Sequence, residues 1–176
     1  MTRRLSPRLA LPISALALLS ACVVNLSFEM HKSFPLQSPS ADGGAISQSQ
    51  LVDLAQYKEI QEHRSNIKSL GLDYADVTII AINSGNTTKK VSGLLVLRAD
   101  PADTTHDVRV GELQAFGVSP GATKRFNGTA ELDAFLFQQL QSQGKFYAVI
   151  TGAADGKTDI VLDVIMHANI GYDAGL

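Results

Sequence analysis

The chain has 176 residues, 45% of them hydrophobic and 18% charged, which is the composition of a folded globular domain and excludes a disordered or collagen-like chain. Its single cysteine excludes a disulfide framework within the chain. A formal net charge of −2 offers no basic excess and argues against nucleic acid as a partner.

In chain order, Arg3, Arg4 and Arg8 precede an apolar run from Leu9 to Leu19, interrupted by Pro12 and followed by Ser20, Ala21 and Cys22. A run of about 11 apolar residues falls short of the roughly 20 that a membrane span needs, so the pattern is that of a secretory signal. The stretch Leu19-Ser20-Ala21-Cys22 resembles the lipobox of bacterial lipoproteins, a resemblance confined to the first 22 residues. It implies that residues 1–21 are removed by signal peptidase II and that Cys22 carries S-diacylglycerol and an N-acyl group. The alternative is a buried structural cysteine. Residues 22–176 would then form one lipid-anchored domain, held firmly because acyl burial contributes about 0.8 kcal/mol per CH₂. Val23, in the place of an aspartate retention signal, implies the outer membrane, with the domain facing the periplasm. Three of the 15 basic residues lie in the leader, so the remaining 12 face 17 acidic ones and the net charge becomes −5. That balance also disfavours an anionic membrane surface as the binding target.

Val24, Leu26, Phe28 and Met30 alternate with polar residues, the period of a half-buried strand that starts almost at the cysteine. Residues 37–50, rich in Ser, Gly and Gln, read as a flexible loop. Leu51 to Leu70 reads as a helix with Leu51, Leu54, Ala55, Ile60 and Ile67 on one face and Gly71 as its stop. Tyr74–Ile82 and Val91–Leu97 read as strands joined through Asn83–Asn86, and Val108–Ala115 as a more polar strand. Thr129 is placed to cap a second helix with Glu131 and Asp133 in its first turn, an apolar stripe of Leu132, Phe135, Leu136 and Leu140, and a stop at Gly144. Phe146–Ile150 and Thr158–Ile170 read as a hairpin across Asp155-Gly156.

Hairpin connections and alternating strands predict an antiparallel sheet, and strands apolar on consecutive positions ask for a second layer. The expected fold is a β-sandwich-like domain with two short helices; an open antiparallel sheet with both helices on one face is the alternative. The order strand, helix, strand, strand occurs twice, without residue identity between the halves.

Two motifs suggest catalysis and fail on inspection. Gly117-Val118-Ser119-Pro120-Gly121 matches the nucleophile elbow, yet Pro120 has no N–H for an oxyanion hole. Gly152 to Thr158 resembles a phosphate-binding loop one residue short, leading into a strand instead of a helix. Asp100, Asp103, His106 and Asp107 are weak metal-ligand candidates whose spacing fits no standard loop. Glu59 and His63 form at best a two-ligand pair. His31, His167 and Asp163 fall on polar strand registers, where exposed histidines are ordinary. Val161 and Ile165 lie on the otherwise polar face of the last strand, as a contact patch or as residues covered by a second sheet.

The function expected is therefore that of a membrane-anchored, non-enzymatic binding or accessory domain with an envelope protein as partner and no cofactor beyond the lipid on Cys22. Carriage of a hydrophobic small molecule between the sheets is the second reading, and an enzyme of unknown type the third.

Overall fold

The computed structural model describes residues 23–38 and 40–175; the segment read from the sequence as a signal, and Cys22, lie outside them. The elements are β1 (Val23–Ser38), β2 (Gly44–Asp53), α1 (Lys58–His63), β3 (Ile67–Ile82), β4 (Lys90–Arg98), β5 (Val108–Gly117), β6 (Thr123–Asn127), α2 (Ala130–Gln141), β7 (Lys145–Ala154) and β8 (Thr158–Asp173). They form two antiparallel four-stranded sheets, β1-β8-β3-β6 and β2-β7-β4-β5. This is the expected sandwich, and its strand order is that of an eight-stranded jelly roll. The alternative of one open sheet is corrected by the second layer.

The layers meet because each long strand buries alternate residues. Phe34 and Leu36 of β1, Ile160 to Ile170 of β8 at every second position, and Val77 and Ile79 of β3 face Leu95 and Leu97 of β4 and Phe146, Ala148 and Ile150 of β7. All are nearly inaccessible, and at about 1.5–3 kcal/mol per large side chain this interface supplies most of the folding drive.

Four sequence readings are corrected. The loop expected at 37–50 is mostly strand: residues 37 and 38 complete β1, and β2 pairs with β7 from Gly44↔Ala154 to Asp53↔Lys145. β2 is an edge strand that buries only Ile46 and Val52, so its polar residues gave no strand signal. The long helix shrinks to α1, six residues, because Leu51 and Val52 belong to β2 and Ile67 and Leu70 to β3. A short 3₁₀ turn at Leu54–Gln56 intervenes, capped by the Asp53 carboxylate accepting the Ala55 N–H at 3.0 Å. β6 was not foreseen. Finally, Asp155-Gly156 does not close a hairpin, since β7 and β8 lie in different sheets. That crossing is held instead by Asp155, whose Oδ1 accepts the N–H groups of Lys89 (2.8 Å) and Lys90 (3.0 Å).

α2 forms as the sequence indicates. Thr129 Oγ1 accepts the Leu132 N–H, and Gly144, at φ +67, ends the segment in a conformation that a side chain disfavours. Its Asp133 has a second task, accepting the Leu72 N–H of β3 at 2.8 Å and so tying the helix to the first sheet. Each half of the chain therefore runs strand, strand, helix, strand, strand. Advancing every strand number by four turns the first sheet's order into β5-β4-β7-β2, which is the second sheet.

The two ends of the sandwich differ. Val23, Ile67 and Asp173 share one end with α1, α2 and the 99–107 connection, as the pairings Val23↔Asp173, Ile67↔Tyr172 and Arg98↔Tyr147 show. Among the described residues, the connections 83–89, 118–122 and 155–157 lie at the other end.

Candidate functional site

The outer face of the first sheet carries a connected arrangement of polar side chains. Because residues at every second position share a face, strand pairing lays them out in rows. One row runs His31, Ile165, Asp76, Arg125 across β1, β8, β3 and β6; the next runs Glu29, His167, Tyr74, Asn127; a third runs Ser33, Asp163, Thr78, Thr123.

These rows are bonded to one another. Glu29 bridges two imidazoles, with its Oε2 3.0 Å from His31 Nε2 and its Oε1 3.1 Å from His167 Nδ1. The other nitrogen of His31 lies 3.9 Å from Asp163 Oδ2. His167 stacks on Tyr74 with centroids 4.1 Å apart, and the Arg125 guanidinium lies 3.7 Å from the centre of the same ring. Arg125 also donates two bonds to Asp76, at 2.7 and 2.6 Å, and they hold the Asp76 carboxyl below its ordinary range. A depression of about 260 Å³ opens between Ser27, Phe28, Glu29, Asp73, Tyr74 and His167. Chemically this is a pre-ordered lattice of donors, acceptors and one cation–π stack. It suits recognition of a polar surface.

Of the residues singled out in the sequence, His31, His167 and Asp163 meet here. Val161 and Ile165 are on the same outer face, half-buried by neighbours within the sheet; the second sheet packs on the opposite side, which corrects the covered reading. Glu29, Tyr74, Asp76 and Arg125 were missed. Glu29 and His31 share a face by simple alternation, but their meeting with His167 depends on the first strand pairing with the last.

The acidic connection after β4 is internally bonded. Asp100 Oδ1 accepts the Ala102 N–H (2.9 Å), Asp107 takes a two-pronged pair from Arg98 (2.6 and 2.8 Å), and Asp103 Oδ2 lies 2.9 Å from His106 Nδ1. The Thr105 hydroxyl and the His106 ring hold the Asp103 carboxyl well below the usual carboxylate range. Among the described residues no group of three or more His, Cys, Asp or Glu side chains is placed to hold a metal ion. His63 stacks on Tyr172 at 3.8 Å. Ser119 lies in the turn between β5 and β6, where Gly121 has φ +77.

No protein-family model and no curated protein matches the chain. Among solved structures it is distantly similar to the decameric BFDV capsid protein (11% identity, 85% of this chain and 98% of that chain, TM-score 0.39). It is similar in the same way to desmodium yellow mottle tymovirus (8%, 100% and 97%, 0.38) and to a nora virus structure (12%, 98% and 65%, 0.40).

Proposed function

We propose that this chain is a lipid-anchored, non-enzymatic binding domain of the bacterial envelope, seated against its bilayer and presenting the outer face of the β1-β8-β3-β6 sheet to an envelope protein. The observation that carries the reading is that Val23, the first described residue and the neighbour of Cys22 in the sequence, is already paired with Asp173 in the sheet. A lipid on Cys22 leaves no tether, and the helical end of the sandwich faces the membrane. Outer-membrane placement follows from Val23 in the position after the cysteine. Among the described residues no helix is long and apolar enough to cross a membrane. In this reading the acyl chains on Cys22 supply the attachment.

The Tyr74–Arg125 stack and the histidine pair bridged by Glu29 are the anchors expected of a contact surface, being partly exposed yet fixed by neighbours. Carriage between the sheets loses support, because large side chains such as Phe34, Met30, Phe146, Ile79 and Leu97 fill that space. Native mass spectrometry of protein gently extracted from its own membrane tests the proposal. A stoichiometric protein companion that disappears in a Tyr74→Ala, Arg125→Ala variant of unchanged fold is the expected result. A lipidated monomer without companion, or one carrying a small apolar mass, contradicts it.

A further inference from the structure

The helical end of the sandwich has two unlike corners. β1 and β2 stand at the rims of their sheets and pack on one another, as do β5 and β6 at the opposite edge. At the β1/β2 corner the surface is apolar and aromatic. Val23 and Val24, where β1 begins, are 56% and 36% exposed, and Leu51, near the end of β2, is 42% exposed. Among the described residues only Ile80 and Leu94 are comparably exposed large apolar side chains, and both lie elsewhere. Three of the four tyrosines gather at the same corner, each half-buried. Tyr172 pairs with Val24 and stacks on His63 of α1, Tyr57 lies 5.4 Å from the ring of Phe28, and Tyr147 is the partner of Leu51. A ring that joins an apolar body to a hydroxyl settles at the boundary between lipid and water.

Charge divides the two corners in the same sense. Residues 53–68 hold three acidic and three basic side chains, and two ion pairs, Lys58–Glu62 (3.7 Å) and Lys145–Asp53 (3.4 Å), neutralise part of this corner further. The opposite corner is acidic. Residues 99–107 carry Asp100, Asp103 and Asp107 without a lysine or arginine, and the first turn of α2 adds Glu131 and Asp133. Arg98 offsets only Asp107. Carboxylates lose hydration against a bilayer and are repelled by anionic lipids, so this corner resists a membrane that the first one accepts.

We infer that the domain rests tilted on its bilayer, with the β1/β2 corner against the headgroup layer and the 99–107 connection lifted clear. Val23, Val24, Leu51 and the three tyrosines make the contact. The occupant of this surface is set by the chain itself, since Val23 follows Cys22 directly, and the inference therefore rests on the proposed lipid anchor. The tilt lies in the plane of the sheets and leaves the outer face of the first sheet open to a partner.

The chain contains no tryptophan, so a single one introduced reports its own surroundings. Full-length protein made in its native host is reconstituted into vesicles of phosphatidylethanolamine and phosphatidylglycerol, with and without a phosphatidylcholine brominated on its acyl chains, which quenches tryptophan on contact. Val24→Trp marks the anchor, Leu51→Trp the far side of the proposed contact, and Ala102→Trp the acidic corner; Leu51 and Ala102 are exposed, so their variants keep the fold. Leu51→Trp is decisive because Val24 lies near the lipid in any orientation, and Tyr147→Trp repeats its measurement where an aromatic ring already stands. Val24→Trp, Leu51→Trp and Tyr147→Trp are expected to lose most of their emission to the brominated lipid, and Ala102→Trp to keep it. Vesicle-bound protein in which Leu51→Trp and Tyr147→Trp are unquenched, or in which Ala102→Trp is quenched as strongly, overturns the tilt and leaves the anchor standing. Emission shifted to the blue without quenching at Leu51→Trp means that another protein, or a second copy, covers this corner, and also overturns it. Protein that does not float with the vesicles contradicts the anchor, and the inference falls with it.

Discussion

At the scale of single residues, stability at the turn-bearing end depends on two hydroxyls. Thr88 and Thr158, 1% and 2% exposed, are 2.7 Å apart, and both lie within hydrogen-bond reach of the Gly156 carbonyl. Thr88→Val keeps the shape and strands part of this network, with an expected cost of about 1–3 kcal/mol in urea unfolding; an unchanged midpoint would show the network to be dispensable. Acid response also belongs here. Arg125 beside Asp76, the Lys90 and Lys89 N–H groups on Asp155, and Thr105 with His106 on Asp103 all depress the carboxyls they touch. A group whose folded pKa is depressed stabilises fully above its unfolded value, near 3.9 for aspartate, and loses that contribution as the pH falls through the depressed value. The melting temperature is therefore expected to decline below about pH 4, and Asp155→Asn to flatten the decline. Because Asp155 is exposed and Asp76 and Asp103 are only partly buried, the effect is modest, and an Asp155→Asn profile identical to the parent would refute the assignment.

At the scale of elements, β1 shows how an edge strand is kept from pairing with another chain. Its inward register reads Phe28, Met30, Lys32, Phe34 and Leu36, so a lysine interrupts an otherwise apolar row on the rim of the sheet. Such inward charges guard edges against strand addition. Lys32→Val is expected to keep the fold and to promote self-association, measured by gel filtration at rising concentration; a strictly monomeric variant would contradict this. In the core, Leu162→Ala of β8 is expected to cost about 2–5 kcal/mol, since it opens a cavity between sheets that cannot close around it. The elements legible in the sequence were β1, β8 and α2, which have one buried face and a strong period, and much of β3, β4, β5 and β7, read from their apolar runs. β2 and β6 were not. Both are edge strands whose residues mostly face solvent, leaving alternation with little contrast, and Leu51, 42% exposed, imitated a helical apolar position.

At the scale of the whole molecule, most connections pass from one sheet to the other; β4 and β5 alone are neighbours both in sequence and in a sheet. Pairing is therefore set by long-range closure, which local periodicity does not encode, and the hairpin expected across Asp155-Gly156 failed for that reason. The same closure hid the candidate contact face. His31 and His167 are each unremarkable along the chain and meet across Glu29 only because β1 pairs with β8. The sequence carried a resemblance to a lipobox at residues 19–22, and the pairing of Val23 with Asp173 is compatible with the proposal of a domain seated close to a lipid on Cys22. The most direct test of that account is the intact mass of the full-length protein extracted from its native membrane. The account predicts a chain beginning at Cys22 and carrying diacylglycerol and an N-acyl group; a chain still beginning at Met1, with Cys22 unmodified, would contradict it.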